Sequence, residues 1–231
     1  MMQKSISIFK KQLKDTFKNK IVLLQFVMFP ALAIIMKNTM KLEGMPEMFF
    51  VELFATMYIG MAPLTSVSQI ISEEKEKNTL RMLMMSNVKP YEYLVGVGSY
   101  AWILCMIGSA AMALGTGYKG EELVNFMIIM AIGVLVSTLM GAAIGILSKN
   151  QMTATSISVP VMLVFSFMPM MAMFNEKIGK VSKFIYSQQI NNLMSKVNDL
   201  SISAENMWVI GVNMLIVVGV FGFAYKRSQL A

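Results

Sequence analysis

The chain has 231 residues, 56% of them apolar and only 14% charged, with a net charge of +7. A soluble domain carries about 25% charged residues, so this chain has more apolar surface than a water-facing fold can hide, and lipid must be its solvent. It has no histidine and a single cysteine, Cys105, which excludes a disulfide framework and removes the commonest metal ligand and general base.

The 26 methionines are read as flexible apolar filler, not as a metal site. The basic residues are spread over many segments, so membrane lipid is the expected partner and nucleic acid is not.

Residues 3–20 carry six lysines, with Ile6, Phe9, Leu13 and Phe17 stepping by three or four. That spacing predicts a basic amphipathic helix lying in the interface of an anionic leaflet. No small-residue cleavage site follows, so a removable signal is not expected.

The apolar run 21–37 is the first predicted span. It is slightly short, with Lys20 and Lys37 able to snorkel at its ends and Pro30 expected to bend it. The second span covers 49–72, with Glu52 near its outer end. Thr65, Ser68, Gln69 and Ser72 share one face of its inner half, a stripe suited to helix packing or a wet path.

Residues 73–92 form a hydrophilic loop that opens on a charged helix end, Glu73, Glu74, Lys75, Glu76 and Lys77. A turn is expected at Asn78-Thr79, then a short helix with Leu80, Leu83 and Met84 on one face. Pro90 is expected to close it.

The third span, 94–118, has a seam of small residues at Cys105, Ser109, Ala113 and Gly117. A tight turn at 118–122 leads to the fourth span, 123–148, where Ser137, Gly141 and Gly145 recur at the same interval. Both seams predict close helix approach. The fifth span, 152–174, opens with Thr153, Thr155, Ser156 and Ser158. It contains Pro160 and Pro169, which free backbone carbonyls and make it the span expected to be kinked or broken. Two short amphipathic helices are predicted in the outer loop 175–206, on Ile178, Val181, Phe184 and Ile185 and on Ile190, Leu193, Met194 and Val197. The last span, 207–225, is bracketed by Trp208 and Tyr225, as interfacial aromatics are.

Six spans put both termini on one side. That side holds 13 of the Lys and Arg residues and the other 7, so both termini are expected in the cytoplasm. No GxxxxGK[ST] occurs, no Ser/His/Asp set can form, and no Asp lies within a span. An all-α membrane body is therefore expected, without catalytic, cofactor or metal residues of its own. A histidine-requiring intramembrane enzyme is excluded. A stand-alone channel or secondary carrier would need intramembrane ionisable groups, and the spans offer none.

The layout resembles the membrane subunit of ABC type-2 exporters, also called type V exporters. The motif that carries the resemblance is EEKEKNTLRMLMMSNVKPYEYLVG, residues 73–96. Glu74, Glu76, Thr79, Leu80, Leu83, Val88, Glu92 and Gly96 fit it. Asn78 stands at the usual glycine, Asn87 at the usual proline and Val97 at the usual lysine. Asn tolerates left-handed backbone, so the turn is expected to survive.

The resemblance implies a permease of a bacterial plasma membrane that pairs with a second copy or a paralogue, with two separate ATPase subunits docked beneath and ATP and Mg bound there. It makes Glu73 to Val88 the coupling helix, with Glu73, Glu74, Glu76, Asn78, Thr79, Leu80, Leu83, Met84 and Val88 at the ATPase interface. It assigns spans one, two and five to the route or the dimer seam. Small exporters of drugs, antimicrobial peptides or lantibiotics share the short outer loops, and lipid-linked glycan export uses the same architecture.

Overall fold

The computed structural model describes residues 2–40, 44, 46–197 and 203–227. Residues 41–43 and 45 of the first loop, and 198–202 of the predicted outer loop, lie outside the described residues. Among those described there are ten helices and no strand: α1 Met2–Lys18, α2 Lys20–Thr39, α3 Phe49–Glu76, α4 Thr79–Met85, α5 Pro90–Thr116, α6 Gly120–Leu147, α7 Gln151–Phe174, α8 Glu176–Ser182, α9 Tyr186–Met194 and α10 Ala204–Arg227. Six of them, α2, α3, α5, α6, α7 and α10, are long and apolar enough to cross a membrane. We call the end carrying α1 and α4 the near end, and the end carrying α8 and α9 the far end.

The helices overrun the predicted spans wherever charged residues are good helix formers. α3 continues past Ser72 through Glu76, and α2 reaches 20 residues, about 30 Å and enough to cross. α2 passes unbroken through Pro30 and α7 through Pro160 and Pro169, so the expected break in the fifth span is absent.

α3 is the hub. Sixty-seven percent of its span is buried, against 22% for α2, 17% for α7 and 11% for α10. In lipid, helices associate through close packing and not through escape from solvent. α6 accordingly lays Gly133, Gly141 and Gly145 on α3. A Cβ on Gly141 would stand 2.5 Å from the Leu64 carbonyl oxygen. α7 approaches at Gly60, where a Cβ would lie 2.9 Å from the Phe165 backbone.

The seam on α5 differs from expectation at one position. Cys105, Ser109 and Ala113 are buried, but close approach is made by Gly108 against Tyr58 and Gly115 against Ile34. Gly117 instead ends α5 with φ at 96°, where only glycine is free of strain. The Tyr118 amide donates to the Ala113 carbonyl at 3.0 Å. Tyr118, the first residue of the expected tight turn, is buried beside the Phe126 ring at 5.1 Å.

The two predicted outer helices behave differently. On α8, Val181 is exposed, as is Phe184 just after it. α9 turns back into the bundle, with Tyr186, Ile190, Leu193 and Met194 buried. The Tyr186 hydroxyl meets Ser137 of α6 at 2.6 Å, and its ring lies 4.9 Å from Phe165 of α7. Asn191 donates to Thr56 of α3 at 3.1 Å. Phe165 is nine residues from the far end of α7, so α9 reaches about 13 Å into the bundle. Tyr186 and Asn191 are tolerated there because they bond to neighbouring helices, and Gln189 because it donates to the Lys183 carbonyl.

Candidate functional site

The charged head is a helix end, with Glu73–Glu76 in the last turn of α3 and Lys77 as its cap. Glu73 pairs with Lys77 one turn on, the favourable orientation for a helical pair, and this carboxylate holds the Lys77 ammonium above the usual lysine range. Asn78 then turns the chain at φ 56°, left-handed geometry that asparagine tolerates.

α4 follows as a helix of 7 residues, too short to persist alone. Leu80 anchors it: the side chain is 1% exposed, in a cluster with Ile8, Ile71, Tyr93 and Val97. Leu83, Met84 and Val88 pack on the same cluster. Its end is a Schellman cap. Asn87, at φ 62°, donates to the Met84 carbonyl at 3.0 Å, and Val88 donates to the Leu83 carbonyl at 3.2 Å.

Pro90 does not close α4. It occupies the first turn of α5, where its missing N–H is harmless. Lys89 before it is extended, as a residue preceding proline must be. Its amide donates to the Glu92 carboxylate at 2.9 Å.

The three nominated acids have internal partners. Glu74 is buried and receives Lys11 and Gln12 of α1, the latter at 2.8 Å. Glu76 accepts from the Gln151 amide at 2.9 Å, capping the start of α7. Glu73 holds Lys77. With Leu80 also buried, the outward face of this end is Lys77, Arg81, Met82 and Met85. Met82 is 58% exposed and Met85 80%. Arg81, Met82 and Met85 were missed by the sequence reading. The signal was available: α4 has more apolar residues than one face can carry, and Met82 and Met85 lie out of phase with Leu80, Leu83 and Met84.

α1 is a strap across this end. Lys4 donates to the Asn87 carbonyl, Ser5 to the Glu92 carbonyl at 2.9 Å, and Thr16 pairs with the Tyr100 hydroxyl. These partners rotate the helix from the expected face. Ile8, Gln12 and Thr16 are buried, Phe9 and Leu13 stand at the edge, and Ile6 and Phe17 point outward. The polar edge of α1 seats because α3 and α5 offer buried polar partners.

The second candidate set lies between α2, α3 and α7. Gln69 of α3 donates to Thr155 of α7 at 2.7 Å, and the Thr65 hydroxyl lies 3.4 Å from Gln25 of α2. Ser68 and Ser72 are buried and bond back to their own helix. Thr153 serves a different purpose, since its amide and hydroxyl both bond Asn150, the cap of α7. Ser156 bonds to the Met152 carbonyl and faces outward, as do Thr155 and Pro160, while Pro169 is buried. The structure thus brings Thr65 and Gln69 of α3 to Gln25 and Thr155 on the neighbouring helices, while Ser156 faces outward on α7. At the far end, Glu52, Gln188, Asn191, Lys180 and Lys183 share the border of a cavity of about 760 Å³ with the apolar Phe49, Met173 and Phe174.

A family model described as ABC-2 family transporter protein matches residues 3–225. No curated protein matches the chain.

Proposed function

The chain belongs to the ABC-2 family of transporter membrane proteins, and from that premise we propose that it is the permease subunit of an ATP-driven exporter. The near end faces the cytoplasm, in keeping with its excess of Lys and Arg. Two separate ATPase subunits dock on it, binding the ATP and Mg that this chain has no loop to cradle. A second permease copy or a paralogue stands against α2, α3 and α7.

The observation that carries this reading is the outward face of α4. A short helix held by Leu80, between two left-handed asparagines, presents Met82 and Met85 to the outside beside Lys77 and Arg81. Exposed methionines adapt to a partner groove, and their basic rim suits an acidic one. Glu74 and Glu76 support this face by fixing α3 to α1 and α7, while Glu73 holds Lys77 at the end of its own helix. The polar set Thr65, Gln69 and Thr155, with Ser156 open on the outer face of α7, supports the partner and route assignment, because polar side chains left open on a membrane helix are expensive facing lipid. The same face carries Met152, Leu163 and Phe167, which suits an amphipathic or apolar cargo such as a drug, an antimicrobial peptide or a lantibiotic.

Co-purification in detergent with a co-expressed P-loop ATPase tests the reading. The parent chain should retain the ATPase, and Met82→Glu with Met85→Glu should release it without loss of helicity. If the parent purifies alone, with or without nucleotide, the exporter reading fails and a stand-alone channel or carrier takes its place.

A further inference from the structure

On the side of the bundle away from the polar stripe, α5, α6 and α10 part to leave a groove of about 1020 Å³. Its walls are apolar, with Leu94 and Val95 on α5, Leu135 and Leu139 on α6 and Phe221 on α10. Gly98 forms its floor, where an added Cβ would meet only Thr138 Cγ2 at 3.6 Å. At the deep end Trp102 bridges to α6, its indole N–H donating to the Ala131 carbonyl at 3.2 Å. The near end is a mouth of two tyrosines, Tyr91 and Tyr225. Lys89 Nζ lies 5.9 Å from the centre of the Tyr91 ring, and Lys226, exposed, follows Tyr225.

These features select one occupant. From Tyr91 to Ile103 the groove runs twelve residues of helix, about 18 Å, close to the ~15 Å of hydrocarbon in one leaflet. Its open end has the amphipathic aromatics of a membrane interface and two cations. Its lining ends at Ile103 and Ala131, near the middle of α5 and α6. A phosphate at this end would be attracted by Lys89 and Lys226.

We propose that this groove is a binding site for an anionic phospholipid, with one acyl chain lying from Leu94 to Trp102 and the phosphate at Lys89 and Lys226. The proposal needs only the membrane-spanning fold and is independent of any ATPase.

Trp102 reports on it directly. The other tryptophan, Trp208, is exposed at the far tip of α10 and is removed as Trp208→Phe. The full chain is reconstituted in phosphatidylcholine vesicles with increasing amounts of phosphatidylglycerol or phosphatidylcholine brominated on the distal half of the acyl chain. Phosphatidylglycerol should quench Trp102 at a mole fraction about fivefold lower, the scale of lysine–headgroup attraction. Gly98→Leu fills the floor and should abolish this preference. Lys89→Gln with Lys226→Gln alters only exposed side chains, so the fold is not at risk, and should bring the two quenching curves together. Equal curves in the parent would mean ordinary boundary lipid and overturn the proposal. Absence of quenching by either lipid would mean that protein covers the groove, and would overturn it too.

Discussion

Lys11 and Glu74 lie 63 positions apart in the sequence and form an ion pair that joins α1 to the last turn of α3. Gln12 bonds the same carboxylate oxygen, so one buried acid holds two neighbours on the strap. Because Lys11 is 41% exposed and Glu74 only 7%, the carboxylate is the more sensitive partner. Glu74→Ala should lower stability by roughly 1–3 kcal/mol, below the figure for a fully buried pair because solvent screens the lysine. Limited proteolysis would show it as faster cutting among the lysines of α1. Glu73→Ala, which removes only a local pair, should leave the cutting pattern unchanged.

Leu80 and Met85 belong to one short helix and should separate cleanly. Leu80→Ala empties a fully buried site and should cost roughly 2–4 kcal/mol in detergent unfolding, the range for core leucines. Met85→Ser should leave unfolding unchanged and reduce ATPase retention. Equal loss of stability in both would show that α4 has no free face.

Gly141 leaves no room for any side chain, since even a Cβ would meet the Leu64 backbone at 2.5 Å. Gly141→Ala should therefore force α6 off α3 and cost at least about 1–3 kcal/mol, as overpacking does. Gly222 on α10 has nothing within 4 Å of a built Cβ, so Gly222→Ala should be neutral. Thermal unfolding of the two variants side by side checks the contrast.

Asn78 sits at φ 56° and ψ 10°, the left-handed well. Asn78→Gly should be neutral or slightly stabilising. Asn78→Val should lose about 1–2 kcal/mol, the penalty for an ordinary side chain in that conformation. The same pair of substitutions at Asn87, φ 62°, should give the same order. Loss from Asn78→Gly equal to that from Asn78→Val would show that the asparagine side chain, and not the backbone angle, is what the turn needs.

The six spans were legible because unbroken apolar runs of this length have one physical use. The turn at Asn78 was legible for a similarly local reason: few residues accept its backbone angle. The charged stretch after Ser72 reads as a helix end because Glu and Lys favour helix even where they leave the lipid, and α3 runs on through Glu76. The buried face of α1 was not legible. Its periodicity points to Ile6, Phe9, Leu13 and Phe17, but the face is chosen by Glu74, Glu92 and Tyr100, which the fold brings from elsewhere. The burial of Glu74 among three adjacent acids was hidden for the same reason, since nothing local distinguishes it from Glu73. Pro90 was assigned to the helix it follows instead of the one it starts, an ambiguity that only the extended backbone at Lys89 resolves.

The seating of α9 imposes an order on biogenesis. Its polar side chains find partners on α3 and α6, at Thr56 and Ser137, and its Tyr186 ring stacks on α7. Until those three helices have left the translocation machinery and closed on one another, the segment has no place at membrane depth where its amides and hydroxyls are satisfied. It must therefore wait at the surface while the earlier spans assemble, then drop in as a late step with α10 arriving behind it. Nascent chains arrested before residue 204 should already contain every partner that α9 needs apart from α10.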